Sequence, residues 1–146
     1  MEFGWINAAG GVIVCLLLAP NILYALRCPG GENRCGNRLM NLLEQIGRYA
    51  SMALMVFPIG VREFGFPGVG AMLAYLIGNG ALLVCYWTVW ALYFRKVSRN
   101  RALTLAVVPA CIFLLSGLTL GHWLLVLSGA VFAVGHVYVT HKNYIE

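Results

Sequence analysis

Apolar positions along this chain come in long unbroken runs, and the charged positions gather in short clusters between them. Phe3 to Leu26 carries no Lys, Arg, Asp or Glu, and neither does Phe64 to Phe94 or Ala102 to His141. The hydrocarbon core of a bilayer is about 30 Å thick, and about 20 helical residues rising about 1.5 Å each will cross it. The first run predicts a spanning helix over 3–26. The second opens with Phe64-Gly65-Phe66-Pro67-Gly68, a turn by its Gly and Pro content, so the helix is predicted over 69–94. The third run is too long for one span. As a single helix it would reach about 60 Å, twice the core, and tilt does not absorb a factor of two. It divides near its midpoint, where Gly121 suits a helix end because glycine takes positive φ at no steric cost. Two helices are predicted there, over 102–120 and 122–141. His122 is expected at the tight hairpin between them, on the membrane surface, with Trp123 in the interfacial aromatic belt.

One segment resists this logic. Tyr49 to Val61 is charge-free but too short to span. Extended back to Leu39 it is long enough, but it then includes Glu44 and Arg48. It is read as a fifth span, 39–61, with its first two turns near the headgroups. Pro20 and Pro58 interrupt the first two spans and predict kinks. No internal repeat is visible, so the inverted-repeat architecture of many transporters is not expected. The whole chain, 1–146, reads as a single transmembrane domain.

Composition agrees with this class. The chain is 61% hydrophobic and 10% charged, against about 25% charged in soluble domains. The net charge of +5 needs no nucleic-acid partner, because basic residues at helix ends orient membrane proteins. With five spans and the N-terminus outside, Arg27, Arg34, Arg38, Arg48, Arg95, Lys96, Arg99, Arg101 and Lys142 fall on the inner side, and Arg62 alone on the outer. The aromatic residues follow, with Trp5 and Trp123 outside and Tyr24, Trp90, Tyr93 and Tyr138 inside. The expected fold is an all-α bundle of five transmembrane helices, N-terminus outside and C-terminus cytoplasmic, in the cell (inner) membrane. The start of the chain has Glu2 and no basic n-region, so the first helix is expected to be retained rather than cleaved as a signal.

Candidate chemistry begins on the second span. Asn37, Arg38, Asn41, Glu44, Gln45 and Arg48 recur at steps of three and four, opposite Leu39, Leu42, Leu43 and Ile46. Glu44 precedes Arg48 by four, the favourable order for an ion pair. Two readings stand. The stripe is an amphipathic entry solvated by headgroups, or it is a polar face turned into the bundle, where ionisable groups mark a substrate or ion path. Asn79 lies inside the third span and needs a partner there, as cross-helix glue or as a ligand contact. Ala71, Ala74, Gly78, Ala81 and Cys85 form a small-residue stripe on the same helix, an internal or dimer contact. His136, Thr140 and Asn143 share a face of the last span, with His136 about one and a half turns from its inner end. It is read as a hydrogen-bonded structural histidine, or else as a proton relay or ligand group.

His136 and His141 are five apart and do not share a face, so a zinc site is poorly supported. Cys15, Cys85 and Cys111 read as small apolar fillers. Cys28 and Cys35 bracket the first loop, which is expected to be cytosolic and its thiols reduced. No nucleophile elbow or phosphate loop appears, and no cofactor is legible. The function classes left are a carrier or channel component for a small molecule or ion, an accessory subunit of a larger membrane complex, or a lipid-modifying enzyme. The expected partners are the lipid bilayer and either further copies of the chain or a membrane complex. The candidates for a ligand or ion pathway are Glu44, Arg48, Asn79, His136, Asn41 and Thr140.

Overall fold

The computed structural model describes residues 6–28, 35–57, 59 and 66–145. Its five helices are α1 (Ala8–Arg27), α2 (Arg38–Val56), α3 (Val69–Arg95), α4 (Arg99–Leu120) and α5 (Trp123–Ile145), and the described residues include no strand. Four of them, α1, α3, α4 and α5, are long and apolar enough to cross a membrane. α2 carries Arg38, Glu44 and Arg48 and is not among them. The expected positions of Trp5, Arg34, Pro58 and Arg62 lie outside the described residues.

Caps set the helix starts. Asn7 Oδ1 accepts from the Gly10 N–H at 3.0 Å and opens α1. Asn37 does the same for α2 through Met40, and Ser98 for α4 through Arg101. These side chains satisfy N–H groups that the first turn leaves orphaned. The Ser98 cap explains why α4 begins at Arg99, three residues before the expected 102. The loop before it is held by Arg101, whose Nη1 donates to the carbonyls of Leu92 and Lys96 at 2.7 and 2.8 Å. α1 runs through Pro20 and α4 through Pro109. α5 continues past the expected 141 to Ile145.

The break between α4 and α5 falls at Gly121, the described residue with positive φ, at 65°. The His122 N–H donates to the Gly117 carbonyl at 2.8 Å and the Gly121 N–H to that of Leu118 at 3.3 Å, the paired bonds of a Schellman end. Trp123 is 74% exposed. His122 is not on the surface as expected: it is fully buried, and its Nε2 donates to the Ile59 carbonyl at 2.8 Å. Burial pushes this imidazole below its ordinary range, partly offset by the bond to Ile59.

The helices form a ring. α5 packs against α2 on one side and α4 on the other, α3 packs on α4, and α1 touches α2 and α3 more lightly and closes the circle. The α2–α5 crossing is close because both helices present glycine. A Cβ on Gly47 would stand 2.5 Å from the Phe132 nitrogen, and one on Gly135 would stand 2.6 Å from the Glu44 nitrogen. Large apolar residues point outward all round, including Leu42 and Ile46 on α2, Ile77 and Val84 on α3, and Leu127 and Val134 on α5. Such a surface suits lipid and would be an aggregation liability in water. α2 is turned in the same sense. Leu39, Leu42, Ile46 and Tyr49 are exposed, while Glu44, Gly47 and Ser51 are buried. A helix on a water-soluble core would show the reverse.

Candidate functional site inside the helix ring

Glu44, Arg48 and His136 meet where α2 crosses α5. Glu44 is 6% exposed. Its Oε1 accepts from Arg48 one turn further along α2, and it lies 3.1 Å from His136 Nδ1 on α5. A carboxylate only accepts, so Nδ1 carries the hydrogen of that bond and Nε2 is the basic nitrogen of the ring. The His136 imidazole stacks on Phe132, with centroids 4.7 Å apart. Gly135 makes the meeting possible, since a side chain there would hold the α2 backbone away from the neighbouring His136.

The second-helix stripe is not uniformly solvated. Glu44 is buried and Arg48 is half-buried, while Asn37, Arg38 and Gln45 are exposed. The stripe therefore divides, because an arc spanning all six residues is wider than the face that α5 and α1 cover. His136 also sits deeper than expected. With α5 reaching Ile145, nine residues follow it (145 minus 136), about two and a half turns.

Arg48 and His136 border an internal space, and Glu44 bonds to both from behind its wall. Arg48, Met52, Tyr86, Asn21, Phe113 and His136 are among the walls of a cavity of about 110 Å³, to which all five helices contribute. A second cavity of about 240 Å³ extends toward the C-terminal end of α5, past Thr140, Asn143, Tyr93 and Tyr144. Asn21 and His136 belong to the walls of both and stand at the junction. Asn21 Nδ2 donates to the Tyr86 hydroxyl at 2.6 Å and to the Leu17 carbonyl at 2.7 Å. Tyr93 and Tyr144 join their hydroxyls across the second cavity.

The other candidates lie apart from this cluster. Thr140 borders the second cavity one turn beyond His136. Asn41 is half-buried, and its Nδ2 donates to the Cys35 carbonyl at 2.9 Å, while the Cys35 N–H donates to Asn143 Oδ1 at 3.1 Å. These two asparagines tie the start of α2 to the end of α5. Asn79 is buried between α3 and α4 and donates to Ser116 Oγ at 3.1 Å. It belongs to another layer, with Tyr75 and Asn7. Of the small-residue stripe on α3, Gly78 lies close to Leu115 inside the chain, and Ala74, Ala81 and Cys85 are exposed. Among the described residues no three His, Cys, Asp or Glu side chains come together as a metal site would need.

Sequence reasoning did not single out Asn21, Tyr86, Gly47 or Gly135. Asn21 was legible as an amide within an apolar run beside Pro20. Tyr86 reads as an ordinary core or interface aromatic until its partner is known. The arrangement has the parts of a polar binding site: an ion pair, a histidine whose Nε2 is its basic nitrogen, a phenol and an amide round a partly open cavity. Comparison with protein-family models, with curated proteins and with solved structures finds no match.

Proposed function

We propose that the protein is a small-solute carrier of the cell membrane whose solute occupies the cavity beside Arg48. The observation that supports this reading is the placing of Arg48 and His136 on a cavity walled by all five helices, with Glu44 bonded to both. Ionisable groups within a membrane bundle are costly, and they occur where a substrate or ion passes. On this reading α2 is the fifth span, because its apolar face points outward and its charged face inward. The N-terminus is outside and the C-terminus inside, following the distribution of Arg and Lys. α1 makes the lightest contacts in the ring, so it is the element whose movement would open the cavity.

The test is solute flux into proteoliposomes holding the purified chain. Arg48→Gln should abolish a flux that Gln45→Ala, on the exposed face, leaves intact. Absence of flux for every solute tested, with folded protein in the vesicles, would defeat the carrier reading. A second reading, a subunit of an oligomer or larger membrane complex, is favoured by the exposed small residues Ala74, Ala81 and Cys85 on α3. Close packing in membranes uses such faces.

A further inference from the structure

We propose that the cavity beside Arg48 binds a small carboxylate together with one proton, so that the solute crosses as an electroneutral pair. The proposal rests on the carrier reading and names its substrate class. It begins with charge. Glu44 and Arg48 are bonded to each other, and their charges cancel. Among the described residues Arg48 is the one Lys, Arg, Asp or Glu on the wall of this cavity: α1 offers Asn21, α3 offers Tyr86, α4 offers Pro109 and Phe113, and α5 offers Phe132 and His136. With His136 neutral, the site has no net charge. An anion taken from water into such a space leaves it with one uncompensated negative charge, which is costly away from water. One proton on the site changes its charge to +1, and an anion then restores neutrality.

His136 is the group placed to take that proton. Its Nδ1–H is committed to Glu44 at 3.1 Å, which leaves Nε2 as the site of protonation. The imidazolium would then sit between the Glu44 carboxylate on one side and the bound anion on the other, with a donor toward each. Nothing is oxidised or reduced, and no covalent bond between heavy atoms forms or breaks. One N–H bond forms on Nε2 on entry and is broken on release.

Recognition of a carboxylate follows from the remaining donors. Arg48 gives one of its donors to Glu44 and keeps others in its planar fork, the geometry that matches a carboxylate. Tyr86 accepts its hydrogen bond from Asn21 at 2.6 Å, so its own O–H is available to an acceptor in the cavity. The rest of the wall is apolar, with Leu18, Met52 and Phe113, and suits a short alkyl tail. The volume of about 110 Å³ sets the size. An apolar cavity of about 150 Å³ holds a benzene molecule, so this one suits acids of about two to four carbons.

The experiment measures binding to the purified full chain in detergent at pH 5.5 and pH 7.5. The probes are propionate, methanesulfonate and propionamide. Methanesulfonic acid is too strong to bring its own proton, so any proton taken up with it goes onto the protein. Both anions should bind at least tenfold more tightly at pH 5.5, with uptake of about one proton each, because coupling between two ligands is reciprocal. Propionamide should bind weakly at either pH. Glu44→Gln fixes the site at +1 and should bind propionate equally at both pH values without proton uptake. His136→Gln removes the acceptor, and its affinity at pH 5.5 should fall to that at pH 7.5. Anion binding that is independent of pH, or that proceeds without proton uptake in the parent chain, would overturn the proposal. Propionamide binding as well as propionate would overturn the carboxylate assignment and leave the carrier reading standing. Failure of all three probes to bind, with flux of another solute in vesicles, would have the same consequence. Failure of binding and of all flux would remove both.

Discussion

Gly135 on α5 lies directly against the backbone of Glu44 on α2: a Cβ there would stand 2.6 Å from the Glu44 nitrogen and 2.8 Å from its Cα. Backbone cannot yield as a flexible side chain can, so any substituent must part the helices. Gly135→Ala should therefore destabilise the protein by about 1–3 kcal/mol, the usual cost of overpacking. Gly80→Ala on the exposed face of α3, where a Cβ would meet nothing within 4 Å, should be neutral or stabilising by up to about 1 kcal/mol from helix propensity. Thermal unfolding of both variants in the same detergent checks this. Equal midpoints for the two would mean that the crossing is not tightly packed.

The fold was largely legible, and the site only in part, for identifiable reasons. Charge-free run length located α1, α3, α4 and α5, because bilayer thickness acts on length directly. Gly121 marked the hairpin, because positive φ is a local property of one residue. Which way Glu44 faces is not local. It depends on Gly47 and Gly135 letting α5 approach α2, and those glycines lie 88 residues apart in the chain (135 minus 47). Periodicity placed Glu44 and Arg48 on one stripe with Gln45, but could not say where the covered arc ended. His122 was misjudged for a similar reason. Its position at a hairpin suggested exposure, and its hydrogen-bond partner, the Ile59 carbonyl, lies 63 residues away in the chain.

The buried His122 predicts a pH dependence of stability. Its folded value is depressed, so the unfolded chain takes up the proton first as pH falls, and stability rises with pH over that window. The contribution is intact above about pH 6.5, the ordinary histidine value, and is lost progressively below it as the unfolded state gains its proton. His122→Gln should flatten this component while lowering stability at pH 7.5 by about 1 kcal/mol, through a weakened bond to Ile59. Unfolding midpoints of the parent and the variant between pH 5 and pH 8 measure it. Parallel pH profiles would show that His122 does not titrate differently on unfolding.

Accessibility separates the two loop cysteines. Cys28 is exposed at the end of α1, whereas Cys35 is 7% exposed, with its backbone held by Asn41 and Asn143. In reduced, detergent-solubilised protein, a maleimide should label Cys28 rapidly and Cys35 only slowly, by at least tenfold. Asn143→Ala should accelerate labelling at Cys35 and leave Cys28 unchanged. Mass spectrometry of timed digests gives both rates, and equal rates in the parent chain would contradict the burial of Cys35.

The Glu44–Arg48 pair makes an asymmetric prediction. Breaking a fully buried pair costs about 3–5 kcal/mol, because the survivor is left as an uncompensated charge. Here the two survivors differ. The Glu44 side chain is 8% exposed and that of Arg48 is 35% exposed. Glu44 without Arg48 has little access to solvent, and its remaining partner is His136. Arg48 without Glu44 can turn part of its guanidinium toward water, and its long stem stays packed. Arg48→Gln should therefore cost about 1–3 kcal/mol, below the fully buried range because of the exposed third. Glu44→Gln should cost less, since the amide keeps an acceptor for Arg48. The double variant should be more stable than Arg48→Gln alone, because the stranded carboxylate is gone. Unfolding midpoints in detergent for the parent, both singles and the double complete the cycle. The ordering to look for is Arg48→Gln lowest, then the double, then Glu44→Gln. Additive effects would mean that Glu44 and Arg48 do not depend on each other, and the internal cavity would lose the charge arrangement on which its proposed chemistry rests.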